Sequence, residues 1–196
     1  MKSHPTAIID PAASVADDVE IGPFCIVGPG VRVGPACRLG PRVTLQGPVT
    51  VGRGNVFHAH ATIGAAGGGR IEIGEGNVFR ESAHVDAPKT GAATTIGSQN
   101  HFGTWVGVGS GSRIGSSVRI GSLSALGENC VVEDRASIEG QCVIEDNRLI
   151  GASSFIRAQV PVTADVPPLM QVDGNPSEFR SLDPAGPAPA AAGGAP

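Results

Sequence analysis

The residues of this 196-residue chain best suited to chemistry are its histidines and cysteines. His58 and His60 lie in "NVFHAH", His84 in "ESAHVD" and His101 in "QNHFGT". An imidazole titrates near neutrality, so each can serve as a general base or as a metal ligand. Residues 98–115, "SQNHFGTWVGVGSGSRIG", begin with such a histidine, carry the single tryptophan, Trp105, and then thin to Gly, Ser and Val. His58 and His60 are alternate residues and face the same way on a strand. No third ligand stands at a matching spacing, so no metal and no other cofactor is expected. Cys25, Cys37, Cys130 and Cys142 suit either disulfides or a metal site on count alone.

The elements that must position these groups show themselves as a period of six. From Ile9 every sixth residue is apolar: Val15, Ile21, Val27 and so on to Ile63. The phase slips, returns at Ile73, Phe79 and Val85, slips again, and then runs unbroken from Ile96 to Val162. A helix would demand apolar returns at three or four, so a short strand followed by a turn is the fitting unit. The residue after the apolar one is very often Gly (Gly22, Gly28, Gly34), which relieves crowding at the bend. The residue two before it is small, and all four cysteines occupy that slot, which reads them as inward fillers.

This pattern resembles the hexapeptide-repeat, left-handed parallel β-helix, in which three hexads form one triangular coil. The left hand is an exception to the right-handed rule for parallel crossovers and is implied by the resemblance. An all-β prism of about eight coils, about 40 Å long at roughly 4.8 Å between stacked strands, is expected. The two slips are inserted loops, near "AAGGGR" (65–70) and "PKTGAA" (88–93). The expected organisation is a β-helix over 1–165, a short C-terminal extension over 166–182 and a disordered Ala/Pro/Gly tail over 183–196.

Charge and hydropathy exclude several classes. The formal net charge of −4 carries no basic stripe, so nucleic acid is not an expected partner. No apolar run of about eighteen residues offers a transmembrane segment, and "MKSHPTAIIDP" has no secretory apolar core. A cytoplasmic protein is expected.

The stretches "HPTAIIDPAASV", "VEIGPFCIVGPGVRVG", "IEIGEGNVFRES" and "DVPPLMQVDGNP" resemble the UDP-N-acetylglucosamine O-acyltransferases of lipid A synthesis, from His4 to about Pro176. The resemblance implies a homotrimer, a nucleotide sugar and acyl carrier protein as partners, and a histidine base that deprotonates the sugar 3-hydroxyl for attack on an acyl thioester. It places that base in a "HVAHDC"-like segment, which here reads "GVGSGS": Ser110 stands at the base position and Gly107 at a second histidine. Two further family histidines fall on Asn129 and Glu145. The family also has a longer first loop carrying a substrate-contacting lysine, here much shorter and without it, and a C-terminal helical domain that is not expected in this chain. Arg80 and Glu81 match the family and, with Trp105, Ser110 and Asn129, are the expected substrate contacts. A γ-type carbonic anhydrase, on the same fold, takes zinc ligands from an H-x4-H pair that is absent here.

An altered site is therefore expected, with standard catalysis at Ser110 disfavoured because a serine hydroxyl titrates far above neutrality. A replacement base would be His84 or His101, reaching the groove from other faces of the prism. The alternative is a non-catalytic trimer that binds a nucleotide sugar, an acyl carrier or a protein partner.

Overall fold

A computed structural model describes residues 1–64, 68–89 and 91–181. The expected tail, 183–196, lies outside the described residues, as do 65–67 of the first inserted loop and Thr90 of the second. The chain is a left-handed parallel β-helix with three faces of 11, 9 and 8 strands. Strands two or three residues long follow one another around the prism. Lys2–Ser3, Glu20–Ile21, Arg38–Leu39, Val56–Phe57, Val78–Phe79 and His101–Phe102 begin the first face. Ile8–Ile9 through His84–Val85 and Gly107–Val108 to Pro161–Val162 make the second, and Ser14–Val15 through Leu149–Ile150 the third. The coils number about nine, one more than the hexads indicate. Lys2–Ser3 precedes the first in-phase residue, and Met170–Asp173 continues the first face beyond the last. Glu178–Ser181 then pairs antiparallel with Met170–Asp173.

In the two-residue strands from Glu20–Ile21 to Pro161–Val162 the second residue points inward and is buried, which is why the apolar period is six. Register is strict: Phe57 pairs with Phe79 and Phe79 with Phe102. Their rings stack with centroids 4.8 and 4.6 Å apart and almost parallel planes. Outside, the faces differ. The outward strand residues of the second face, such as Ile8, Ile26, Thr44, Thr62, Ala125 and Val143, bear no fixed charge. The first face presents Lys2, Glu20, Arg38 and Arg119.

The corners divide two tasks. The positive φ of the bend falls three residues after the inward residue and is borne by glycine at Gly30, Gly54, Gly76 and Gly111 but by ordinary side chains elsewhere: Phe24, Arg42, His60, Ser82, Trp105 and Leu123 all lie between +58° and +64°. The Gly directly after the inward residue answers a different need. A Cβ at Gly34 would come within 2.9 Å of the Gly52 backbone one coil on.

The small slot also does more than fill space. The thiols of Cys25, Cys37, Cys130 and Cys142 donate to the carbonyls of Gly40, Gly52, Glu145 and Arg157, each at 3.0–3.1 Å. Ser112 and Ser124 donate likewise to Gly127 and Glu139. These donors satisfy corner carbonyls that the strand ladder leaves unpaired. Asn55, Asn77 and Asn100 extend the device into a buried ladder, in which the Asn77 amide donates to Asn55 Oδ1 and the Asn100 amide to Asn77 Oδ1, both at 2.9 Å. All four thiols are free and burial pushes their pKa values up, so they are structural donors rather than nucleophiles. Among the described residues no helix is long and apolar enough to cross a membrane.

Candidate functional site

Where the second face turns into the third, strands His84–Val85 and Gly107–Val108 lie side by side and each runs into a corner. The first corner carries Asp86 and the second inserted loop; the second carries Ser110 and Gly111. Thr94, fully buried, fastens the two. Its Oγ1 donates to the Asp86 carbonyl at 2.9 Å and accepts from the Gly111 amide at 2.9 Å. One coil further on, Asn129 takes φ +55°, a conformation Asn tolerates, and its amide donates to the Ser110 carbonyl at 2.9 Å. A cavity of about 410 Å³ opens between these segments, walled by Asp86, Pro88, Lys89, Ser110, Glu128 and Asn129.

The cavity thus holds one cationic and two anionic side chains beside a hydroxyl and a carboxamide. Lys89 suits a phosphate, while Ser110 and Asn129 suit sugar hydroxyls. No histidine stands among its described lining residues. Ser110 and Asn129 are brought together here, and the inserted loop forms a wall rather than a free excursion. Glu145 lies outside.

His84 sits on the outer surface of the second face, directly across from Gly107. Its Cε1 and Nε2 lie 2.8 Å from the point a Gly107 Cβ would occupy. The ring covers position 107, so that glycine is needed for His84 to lie flat. His101 stands on the first face between Val78 and Arg119. Burial holds its pKa below the ordinary histidine value, and the positive charges of Arg119 and Arg80, with His58, add to the effect. Neither imidazole lines the cavity at Ser110.

Arg80, Glu81 and Trp105 gather at a different corner, between the first and second faces. Arg80 Nε donates to Glu81 Oε2 at 3.2 Å, and Thr104 Oγ1 donates to the same oxygen at 3.1 Å. Trp105 donates its backbone amide to the Glu81 carbonyl at 2.9 Å, but its side chain is 63% exposed and reaches neither Ser110 nor Asn129. The structure adds a partner that residue types alone did not indicate: His58 Nδ1 lies 3.3 Å from Glu81 Oε1. The signal was latent in the repeat. His58 follows Phe57, Glu81 lies two residues after Phe79, and those phenylalanines stack. Among the described residues no three His, Cys, Asp or Glu side chains converge as metal ligands.

Residues 31–65 match the bacterial transferase hexapeptide (six repeats) family. The acyl-carrier-protein-dependent UDP-N-acetylglucosamine O-acyltransferase of Akkermansia muciniphila is 46% identical over 108 residues, covering 50% of this chain and 42% of that protein. The chain therefore spans less than half of that relative's length. Among solved structures, a UDP-N-acetylglucosamine acyltransferase superposes with a TM-score of 0.90 at 30% identity, over 93% of this chain and 74% of the other. The enzyme of Francisella novicida gives a TM-score of 0.86 at 25% identity, covering 91% and 69%. At 30% identity to the first of these structures, with 74% of its chain covered, the chain belongs to the UDP-N-acetylglucosamine acyltransferase family.

Proposed function

We propose that the corner cavity is a sugar-nucleotide pocket in which the histidine base of acyl transfer is absent, so that the protein binds its relatives' nucleotide sugar and transfers acyl groups to it only slowly. The observation that carries this reading is the cavity wall: Ser110, Asn129 and Lys89 are present, and no described imidazole is. In acyl transfer the sugar oxygen forms a bond to the thioester carbonyl carbon while the carbon–sulfur bond breaks. The hydroxyl proton must leave as that bond forms, and a serine hydroxyl cannot take it near neutrality. Asp86 and Glu128 also face the cavity, and their negative charge opposes the oxyanion that attack builds up. Binding is better served. Lys89 offers a point charge to a diphosphate, and the hydroxyl and carboxamide offer hydrogen bonds to the sugar.

Titration calorimetry with UDP-N-acetylglucosamine tests this. Binding is expected, and Lys89→Ala should weaken it by about tenfold, the loss of one charge-assisted hydrogen bond. Absence of binding at millimolar ligand, or an unchanged affinity in the variant, would sink the pocket assignment.

The uncharged second face supports a homotrimer as the working unit, since a face without fixed charges can be buried without desolvating ions. Sedimentation equilibrium should give three times the 19.7 kDa chain mass. Val143→Glu, placed on an exposed position of that face, should shift the protein to monomer. A wild-type monomer, or a trimer indifferent to the substitution, rejects this interface.

A further inference from the structure

We propose that His58 and Glu81 form an oriented general base at the end of an apolar trough on the first face, and that the trough takes the acyl chain of a simple ester or thioester whose carbonyl lies against His58. This inference does not rest on the sugar-nucleotide reading: it concerns another corner of the prism and needs no nucleotide.

The trough comes from the repeat. Directly after the inward residues of the first four coils of this face stand His4, Gly22, Gly40 and His58. Two imidazoles thus bracket two glycines in one column. At roughly 4.8 Å per coil they are about 14 Å apart, with bare backbone between them. Pro5 and Pro41 rise along one side, and the groove encloses about 690 Å³. This open groove runs along three coil steps and is mostly apolar, which fits an extended unbranched hydrocarbon chain. Four charged side chains border it: Glu20 and Arg38 pair with one another across 3.6 Å, Lys2 stands on the first coil, and Glu81 closes the His58 end.

At one end the carboxylate of Glu81 is held by three groups: its own backbone amide, Arg80 and Thr104. The hydrogen bond from its own amide does most to keep its pKa below the usual carboxylate range, so it is ionised. That anion stands 3.3 Å from His58 Nδ1. Its charge favours the tautomer with hydrogen on Nδ1, which leaves the Nε2 lone pair as the proton acceptor. Among the described histidines His58 alone has a carboxylate at this distance.

The step this arrangement can run is ester hydrolysis. Water attacks the carbonyl carbon while its proton passes to His58 Nε2. The bond from carbon to the leaving oxygen or sulfur then breaks, and the imidazolium returns the proton to that atom. The products are the carboxylic acid and an alcohol or thiol; no other reactant is needed.

The test is hydrolysis of p-nitrophenyl decanoate and p-nitrophenyl acetate by the full chain. The decanoate should be the better substrate by kcat/KM, because only its chain fills the trough. His58→Ala should lower kcat/KM at least about a hundredfold, the low end for a positioned base. Glu81→Gln should lower kcat about tenfold with KM little changed. Arg113→Ala, on the third face, should leave the rate unchanged, and the melting temperatures should show that all the variants are folded. Wild-type hydrolysis no faster than that of free imidazole at the same concentration overturns the site. Full activity in folded His58→Ala overturns the base, and full activity in Glu81→Gln overturns the orienting role of the carboxylate.

Discussion

Ser110→His is expected to raise acyl transfer to UDP-N-acetylglucosamine by about 10²–10⁴-fold over the wild type, the contribution of one positioned general base. Position 110 can accept the larger side chain because it faces the cavity of about 410 Å³ rather than the core. Its backbone is fixed independently of the side chain, since the Ser110 carbonyl accepts from Asn129 and the neighbouring Gly111 amide donates to Thr94. Position 107 offers no such room, because the His84 ring lies where the new side chain would begin. The single change at 110 is therefore the cleanest way to supply the missing imidazole. Transfer from an acyl-carrier thioester is the assay, with nucleotide binding measured alongside to show that the pocket survives. A variant that binds the sugar nucleotide and stays as slow as wild type would show that the barrier lies elsewhere than in proton transfer. A wild type already as fast as the variant would show that another group takes the proton.

Much of the scaffold was legible because one physical rule repeats. An inward side chain every six residues sets the strands, the family resemblance supplies three hexads to a coil, and the rule survives both insertions. Less visible was how the corners are satisfied. Cys25 and Ser112 occupy the same slot and perform the same task, donating to a carbonyl about one coil away, yet their types suggest different chemistry. Glycine was legible in part. Its place after the inward residue suggests relief of crowding, and Gly34 does leave room for the next coil, but nothing in residue type shows that Trp105 takes a positive φ. The candidate site divides along the same line. Coil stacking explains why Ser110 and Asn129 wall one cavity. The approach of His58 to Glu81 depends on side-chain direction across an interrupted stretch, where the first insertion lengthens the step between neighbouring coils. Periodicity says which coils touch; it does not say which rotamers meet.

Phe79→Ala should destabilise the fold by about 3–5 kcal/mol, or roughly 10²–10⁴ in the unfolding equilibrium. Phe79 has no exposed surface and lies between two parallel rings, so truncation removes two stacking contacts and opens a cavity at once. Rigid strand ladders on either side prevent collapse into the gap. Phe57→Ala should cost less, since Phe57 stacks on one ring, Phe79, and has Leu39 on its other side. Phe79→Leu should recover much of the loss by refilling the volume. Urea unfolding of the three variants measures the order, and a loss under about 1 kcal/mol for Phe79→Ala would show that the stack adds little to the core. A solenoid coil touches only its neighbours, so the damage should centre on the coils around residue 79. The His58 amide donates to the Phe79 carbonyl at 2.8 Å, which joins the aromatic stack to the proposed base. Phe79→Ala should therefore also slow ester hydrolysis below the temperature at which it unfolds, whereas the same truncation at Ile144, far along the prism, should lower stability and leave that rate unchanged.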